Sequence, residues 1–289
     1  MTADEASGPR REPVHAGGPI MLIGGAEDKR RDKAILSRFA QFAGGAGARV
    51  VVISTASSLG DVATEMYREL LAGLDVGEVT GLRPEDREQA NDPEVAAALA
   101  DATGIFLTGG NQLRLSAAVG GTRLGTALFL AHDRGAVIAG TSAGASALAS
   151  HMMAFGRPGP TPKNRMAQLS AGLGLLDHIV IDQHFEQRGR IGRLLSVVAH
   201  SPSLLGVGLD EDTAAIVYAD QTMEVIGRGA VTIVDGSHAR TDAHQGKGHR
   251  PLMMSGVVLH SLPSGYWFDL RAPKLLPGGV RGQEREASQ

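Results

Sequence analysis

The sequence AVIAGTSAGASALAS, residues 136–150, predicts a buried strand that turns sharply into a helix of small residues. Its apolar run 136–139 is typical of an interior strand, and its segment 143–150 of a closely packed helix. Between them lies Gly140-Thr141-Ser142-Ala143-Gly144. The glycines on either side of the serine let the strand and the helix approach without a Cβ clash. A strand, a tight turn and a helix in this order indicate an α/β fold.

The same alternation extends over most of the chain. Together with this strand at 136–140, strands are predicted at 19–23, 49–53, 77–82, 104–107 and 178–181. Helices are predicted at 28–43, 61–74, 92–100, 112–118, 122–133 and about 186–200. Because buried strands joined by crossover helices pair in parallel, we predict a mostly parallel central sheet flanked by helices on both faces. Strands at 205–209, 214–218, 223–226, 230–234 and 257–262 have hairpin spacing, so the C-terminal third should add antiparallel strands to the same sheet.

The composition indicates one globular unit. Of the 289 residues, 43% are hydrophobic and 20% charged, which is the range of folded domains. We predict a single α/β domain over residues 18–277 between disordered polar tails at 1–17 and 278–289. Cysteine is absent, which excludes disulfides, thiolate metal sites and cysteine nucleophiles. A net charge of -3 gives no field that would attract nucleic acid or an anionic membrane. No stretch approaches the roughly 20 apolar residues of a bilayer span, and we expect a cytoplasmic protein.

Ser142 is a candidate nucleophile, because a serine on such a turn stands at the carboxyl edge of the sheet, next to a helix N-terminus. The alternative is an ordinary N-cap. A serine hydroxyl needs a base, and His184, just past a predicted strand, is the best placed. The other histidines considered, which fit no metal motif, are His151, His200, His244 and His249. The third member stays open among the carboxylates Asp210, Glu211, Asp212 and Glu186. The order Ser…His…Glu differs from that of α/β-hydrolases.

Two further turns follow predicted strands. Backbone N–H groups of the diglycine turn at Gly110, together with that of Ala143, could hold an oxyanion, with Gln112 pointing into the same mouth. Gly24-Gly25-Ala26 lacks the spacing of a dinucleotide fingerprint and is interpreted as a tight turn. We therefore expect no cofactor and no metal.

Arg188, Arg190 and Arg193 could capture carboxylates, although their spacing alone favours a solvated helix face.

Taken together, these residues resemble the cyanophycinase family of peptidase E-like serine peptidases. The resemblance covers about residues 18–270 and is carried by the segments 107–112, 140–146, 172–176 and 208–213. Its most specific part is Asp182-Gln183-His184-Phe185 followed by the three arginines. The family implies a class I glutamine-amidotransferase-like α/β fold. It also implies Ser142 as the nucleophile, His184 as the base and Glu211 as the acid that orients the histidine.

The resemblance also implies a substrate. The residues that match the family's substrate pocket are Gln112, Asp182, Gln183, Arg188, Arg190 and Arg193. The implied partner is cyanophycin, a poly-aspartate chain whose side chains each carry an arginine, cleaved by an exopeptidase into β-Asp-Arg dipeptides. Alternatives are a peptidase E-like dipeptidase acting on short aspartyl peptides and a non-catalytic binding module of the same fold. We expect a homodimer, and neither nucleic acid nor membrane as a partner.

Overall fold

The computed structural model describes residues 17–277. Its helices are α1 Ala34–Ala43, α2 Asp61–Ala72, α3 Arg87–Ala90, α4 Pro93–Ala97, α5 Gln112–Val119, α6 Arg123–Asp133, α7 Ala143–Leu148 and α8 Ile191–His200. Its strands are β1 Ile20–Ile23, β2 Arg49–Ile53, β3 Glu78–Leu82, β4 Gly104–Leu107, β5 Val137–Thr141, β6 Ala149–Gly156, β7 Ala167–Ala171, β8 Leu176–Gln183, β9 Leu205–Leu209, β10 Thr213–Val217, β11 Thr222–Gly227, β12 Ala230–Asp235, β13 Arg240–Thr241, β14 Met254–Ser255, β15 Val258–Pro263, β16 Trp267–Asp269 and β17 Lys274–Leu275. Apart from Gly17, the predicted tails lie outside the described residues.

Within residues 17–277, nine strands form the central sheet in the order β17-β16-β11-β10-β1-β5-β4-β2-β3. The five strands from β1 to β3 in this order pair in parallel. From β1 outward in the other direction, β10, β11, β16 and β17 pair antiparallel. The predicted mostly parallel sheet with antiparallel strands from the C-terminal third is therefore confirmed. The carboxyl ends of the parallel strands meet at one edge, where ligands bind in folds of this kind.

A second sheet lies against the first. Its order is β15-β12-β9-β8-β6-β7, in which β6, β8 and β9 run parallel. The C-terminal strands therefore divide between two sheets, and the prediction that all of them join the central sheet is wrong. The division occurs at residues 210–212, where the chain leaves β9 in the second sheet and enters β10 in the first. This crossing brings a loop of three carboxylates to the edge shared by both sheets.

The core follows the alternation of side chains along the strands. On one face of the central sheet, Met21, Val50 and Phe106 pack with α1 and α2, and Phe39 meets Phe106 edge to face at 5.4 Å. On the other face, Leu22 and Ile138 pack with the helices from α3 to α7 and with the second sheet. Helix α8 covers the outer face of the second sheet. The predicted helical cover on both faces is confirmed. Among residues 17–277, no helix combines the length and apolar character needed to cross a membrane.

Two predicted helices begin later than expected, and polar turns explain both. Helix α1 begins at Ala34 rather than residue 28, because the Asp28 carboxylate accepts the backbone N–H groups of four residues, Arg30, Arg31, Asp32 and Lys33, and closes a turn. Helix α8 begins at Ile191 rather than residue 186. Positive φ angles of 47° at His184 and 57° at Gly189 hold the chain between them in a turn.

Candidate active site

Ser142 occupies the turn that the sequence predicts, immediately after β5 and before α7. Its φ of 52° and ψ of -110° lie outside the common regions for a residue with a side chain. The flanking glycines are required by contact, since a Cβ on Gly140 would lie 2.5 Å from the backbone of Gly144. The side chain makes no capping hydrogen bond to α7. The hydroxyl is therefore turned away from the helix and toward the loop after β8.

A continuous chain of contacts joins three of the predicted residues. Ser142 Oγ lies 2.9 Å from His184 Nε2, and His184 Nδ1 lies 2.6 Å from Glu211 Oε1. His184 is buried, whereas the Glu211 side chain is 36% exposed. With the carboxylate at Nδ1, the neutral imidazole carries its proton there and presents Nε2 as an acceptor to the serine. This is the geometry of an activated serine nucleophile.

The carboxylates left open by the sequence make different contacts. Asp210 accepts the backbone N–H groups of Glu186 and Ala230, each at 3.0 Å. Asp212 accepts the N–H of Asp28 at 2.7 Å. Glu186 is exposed, and within residues 17–277 its side chain has no hydrogen-bond partner. Glu211 is thus the carboxylate that contacts the histidine. Its neighbours Asp210 and Asp212 instead accept backbone N–H groups and hold loops in place.

Of the predicted oxyanion donors, Ala143 follows the serine directly and Gly110 follows Gly109. Gly109 packs against the serine, since a Cβ there would lie 3.3 Å from Ser142 Cβ. Gly110 has a φ of 141°, and a Cβ on it would lie 2.0 Å from the carbonyl oxygen of Ala56. Within the described chain, the N–H groups of Gly110 and Ala143 donate to no other group. Their role as oxyanion donors stays a prediction, for which both N–H groups are available.

All of the predicted pocket residues except Arg188 bind other groups of the protein. Gln112 uses its amide to bind the carbonyl oxygens of Met153 and Ala154, each at 2.8 Å. Asp182 is fully buried and is bound by both Arg190 and Arg193. Its Oδ2 lies 2.5 Å from Arg193 Nε.

Arg190 also donates to the Gln183 side chain at 2.8 Å, and Arg193 to the carbonyl oxygen of Gly156 at 2.9 Å. The solvated helix face favoured by spacing is therefore wrong for these two arginines, which are buried. Asp182 is the reason, because a buried carboxylate needs cationic partners. The same pairing occupies both oxygens of Asp182, a residue that the resemblance assigns to the substrate pocket.

Arg188 differs from the other two arginines. It is exposed, and among residues 17–277 its guanidinium has neither a hydrogen-bond nor an ion-pair partner. It lines an open cavity of about 370 Å³ together with Gly159, Pro160 and Ile191. Its positive charge lowers the pKa of His184. Arg188 is thus an available cation beside the serine–histidine pair.

The electrostatics of the site keep the histidine neutral. Burial lowers the pKa of His184, and the cations Arg188 and Arg190 lower it further. The hydrogen bond and charge of Glu211 oppose this shift without reversing it. At neutral pH the imidazole is therefore unprotonated and able to accept the serine proton.

We expect Arg188→Gln to move the acid limb of the reaction to higher pH. A general base works only when neutral, so activity falls as the pH drops through the His184 pKa. Removing the cation stops it lowering that pKa, and activity should then be lost at a higher pH than in the unaltered enzyme. The measurement is the rate of serine labelling by a neutral fluorophosphonate as a function of pH. The control is Arg68→Gln on α2, an exposed arginine paired with Glu65. A limb that stays in place, or moves to lower pH, contradicts the assignment.

Glu27 belongs to this region although the sequence interpretation did not consider it. It is 3% exposed and follows the turn Gly24-Gly25-Ala26, which takes a positive φ of 97° at Gly25. Its carboxylate lies 2.6 Å from the hydroxyl of Thr141, the residue before Ser142. Its one sequence signal was a carboxylate just after a buried strand at the same sheet edge.

Within residues 17–277, no group of three His, Asp or Glu side chains is arranged to hold a metal ion.

Comparison with known proteins adds relatives in sequence. The family model of peptidase family S51 matches residues 20–226. A cyanophycinase of Synechococcus elongatus is 41% identical over 269 residues, covering 89% of this chain and 81% of that protein. A cyanophycinase of Geminocystis herdmanii is 36% identical over 264 residues, covering 90% of this chain and 97% of that protein.

Solved structures with the same fold are more distant in sequence. A peptidase from an acI-B1 actinobacterium superposes with a TM-score of 0.62 at 21% identity, covering 86% of this chain and 98% of that one. A putative peptidase E of Listeria monocytogenes gives 0.52 at 17% identity, covering 74% and 98%. The fold agrees with the sequence relationship. The chain belongs to peptidase family S51 and is a serine peptidase.

Proposed function

We propose that this peptidase hydrolyses cyanophycin as an exopeptidase, cutting backbone bonds between aspartates and releasing β-Asp-Arg dipeptides. The observation that carries the proposal is the chain of contacts from Ser142 through His184 to Glu211, in a protein 36–41% identical to cyanophycinases. A cytoplasmic location and a homodimer remain proposals made from the sequence and the resemblance.

The proposed reaction is acyl transfer in two steps. Ser142 Oγ attacks the scissile carbonyl carbon while His184 Nε2 takes its proton, and the N–H groups of Gly110 and Ala143 hold the oxyanion. His184 then gives the proton to the leaving amine, and the C–N bond breaks. Water repeats the sequence on the acyl-enzyme, with His184 again as the base, and restores the serine. Glu211 holds the imidazole in one tautomer and stabilises its charged form throughout.

Arg188 supports a substrate with carboxylates. Every repeat of the polymer presents an arginyl carboxylate, and a guanidinium pairs with such a group through two parallel hydrogen bonds. Arg188 is free to do so, whereas Arg190 and Arg193 are engaged by Asp182 and Gln183. Arg193 is a poor probe of binding, because removing one partner of a buried ion pair costs about 3–5 kcal/mol of stability.

The test supplies purified enzyme with insoluble cyanophycin granules and, separately, with a short α-aspartyl dipeptide. We expect clearing of the granules and β-Asp-Arg as the first and main product by mass spectrometry, with the dipeptide cleaved poorly. Arg188→Ala should lower kcat/KM for the polymer by roughly 10- to 150-fold, the worth of one charged hydrogen-bonded contact. At a pH well above the acid limb, it should hardly change the rate on the dipeptide, which has no arginyl carboxylate.

Three outcomes would overturn the proposal. Efficient cleavage of the dipeptide with intact granules would point to a peptidase E-like dipeptidase. Early release of long fragments would contradict exopeptidase action. Absence of any product from folded protein would favour a binding module.

A further inference from the structure

The segment of residues 23–28, here called the 23–28 loop, touches the backbone around each member of the candidate triad. The carbonyl oxygen of Ile23 accepts the N–H of Ser142 at 2.9 Å, and that of Gly24 accepts the N–H of His184 at 2.9 Å. The carbonyl oxygen of Gly25 accepts the N–H of Asp212, the neighbour of Glu211, also at 2.9 Å. One short segment therefore connects three loops that come from distant parts of the chain.

Glu27 is the buried charge of this loop. Its Oε2 accepts the Thr141 hydroxyl at 2.6 Å, and its Oε1 accepts the Tyr67 hydroxyl at 2.5 Å and Lys29 Nζ at 2.6 Å. Burial alone would raise the pKa of the Glu27 carboxyl, but the Lys29 charge and the three hydrogen bonds outweigh burial and lower it. The carboxylate is therefore ionised, fully partnered and fixed in place.

The hydrogen bond between Glu27 and Thr141 restrains the chain directly before Ser142. Thr141 is the last residue of β5, and the next residue, Ser142, has the uncommon φ of 52°. Such a conformation costs on the order of 1–3 kcal/mol and persists only where the surroundings hold it. The Thr141 side chain and the Ser142 N–H are held from the same loop, through Glu27 and Ile23. Together these two bonds restrain the residues that aim the serine hydroxyl.

We propose that Glu27 is a positioning residue that acts through Thr141 to hold Ser142 Oγ at hydrogen-bonding distance from His184 Nε2. The proposal rests on the proposed function, in which Ser142 is the nucleophile. The Glu27 carboxylate bonds Thr141, Tyr67 and Lys29 rather than the serine or the histidine, so its effect is on geometry. A displacement of about 1 Å at a reacting atom costs up to about 100-fold in rate.

The test compares Thr141→Val, Thr141→Ser and Glu27→Gln. Valine has the shape of threonine without the hydroxyl, so Thr141→Val should lower kcat and the rate of fluorophosphonate labelling by about 10- to 100-fold, with KM little changed. Thr141→Ser keeps the hydroxyl and should recover most of the rate. The acid limb of the pH profile should stay in place in all three variants, because the groups that set the charge of His184 are intact.

Two controls separate positioning from stability. Thr122→Val removes another buried threonine hydroxyl, the N-cap of α6, which bonds Val119 and Gly125 rather than a residue of the triad. It should lower Tm and leave the labelling rate unchanged. The double variant Glu27→Gln/Thr141→Val should label no more slowly than the slower single variant, because both act through one bond.

The outcomes distinguish this proposal from the one on which it rests. If folded wild-type protein is not labelled at Ser142, the serine mechanism fails, and the positioning proposal fails with it. If wild type is labelled and Thr141→Val is labelled equally fast, positioning alone is overturned. Effects of Glu27→Gln and Thr141→Val that multiply, or a shifted acid limb, would show that Glu27 acts by another route and would also overturn it.

Discussion

Ser142→Ala is expected to lower the turnover of cyanophycin by a factor on the order of 10⁴–10⁶, as losing the nucleophile of a serine–histidine unit does. The variant lacks the oxygen that attacks the carbonyl carbon, and the neighbouring hydroxyl of Thr141 is held by Glu27. The fold should survive, because the hydroxyl makes no capping bond to α7 and bonds instead to His184. The measurement is release of β-Asp-Arg by chromatography, with Tm from thermal melts.

The matched control is Ser196→Ala. Ser196 is a buried serine on α8 whose hydroxyl donates to the carbonyl oxygen of Lys163 at 2.8 Å. Its loss should cost about 1 kcal/mol of stability and leave turnover close to that of wild type. Near-normal turnover in Ser142→Ala, or equal losses in the two variants, would contradict the nucleophile assignment.

The parts of the fold that local sequence predicts well are the fully buried strands. The strands predicted at 49–53 and 104–107 agree with β2 and β4, because runs of β-branched and apolar residues bounded by polar residues have few other places to lie. Strand β6 was not predicted. It begins directly after the small residues of α7, which continue a helical pattern, and pairing with β7 and β8 from later in the chain decides its conformation.

The site divides in the same way. That Ser142 and His184 meet follows from a general rule, since both stand at the carboxyl ends of predicted parallel strands. The choice among Asp210, Glu211 and Asp212 depends on which loops pack beside them, and the local sequence carries no record of that. The roles of Arg190 and Arg193 are decided by Asp182, a strand residue whose burial was not apparent from its place beside His184.

Glu211→Gln is expected to lower turnover by about 10⁴-fold, the usual effect of neutralising the carboxylate that orients a catalytic histidine. Glutamine can still occupy the space, but it neither fixes the tautomer nor stabilises the charged imidazole. Since Glu211 raises the pKa of His184, its neutralisation should lower that pKa. The acid limb of the residual activity should therefore move to lower pH, in the direction opposite to that expected for Arg188→Gln. Both quantities come from rates of dipeptide release across the pH range.

The neighbours Asp210 and Asp212 provide the controls. Asp212→Asn should be nearly silent, because Asn can still accept the N–H of Asp28 and tolerates the φ of 49° found there. Asp210→Asn loses one of two acceptors for the N–H groups of Glu186 and Ala230. It should therefore lower the free energy of unfolding by about 1–3 kcal/mol and lower turnover only modestly. Similar losses of turnover at all three positions would mean that the loop is merely being disordered. A large loss at Glu211 alone, with the acid limb shifted downward, is the result that a carboxylate paired to His184 requires.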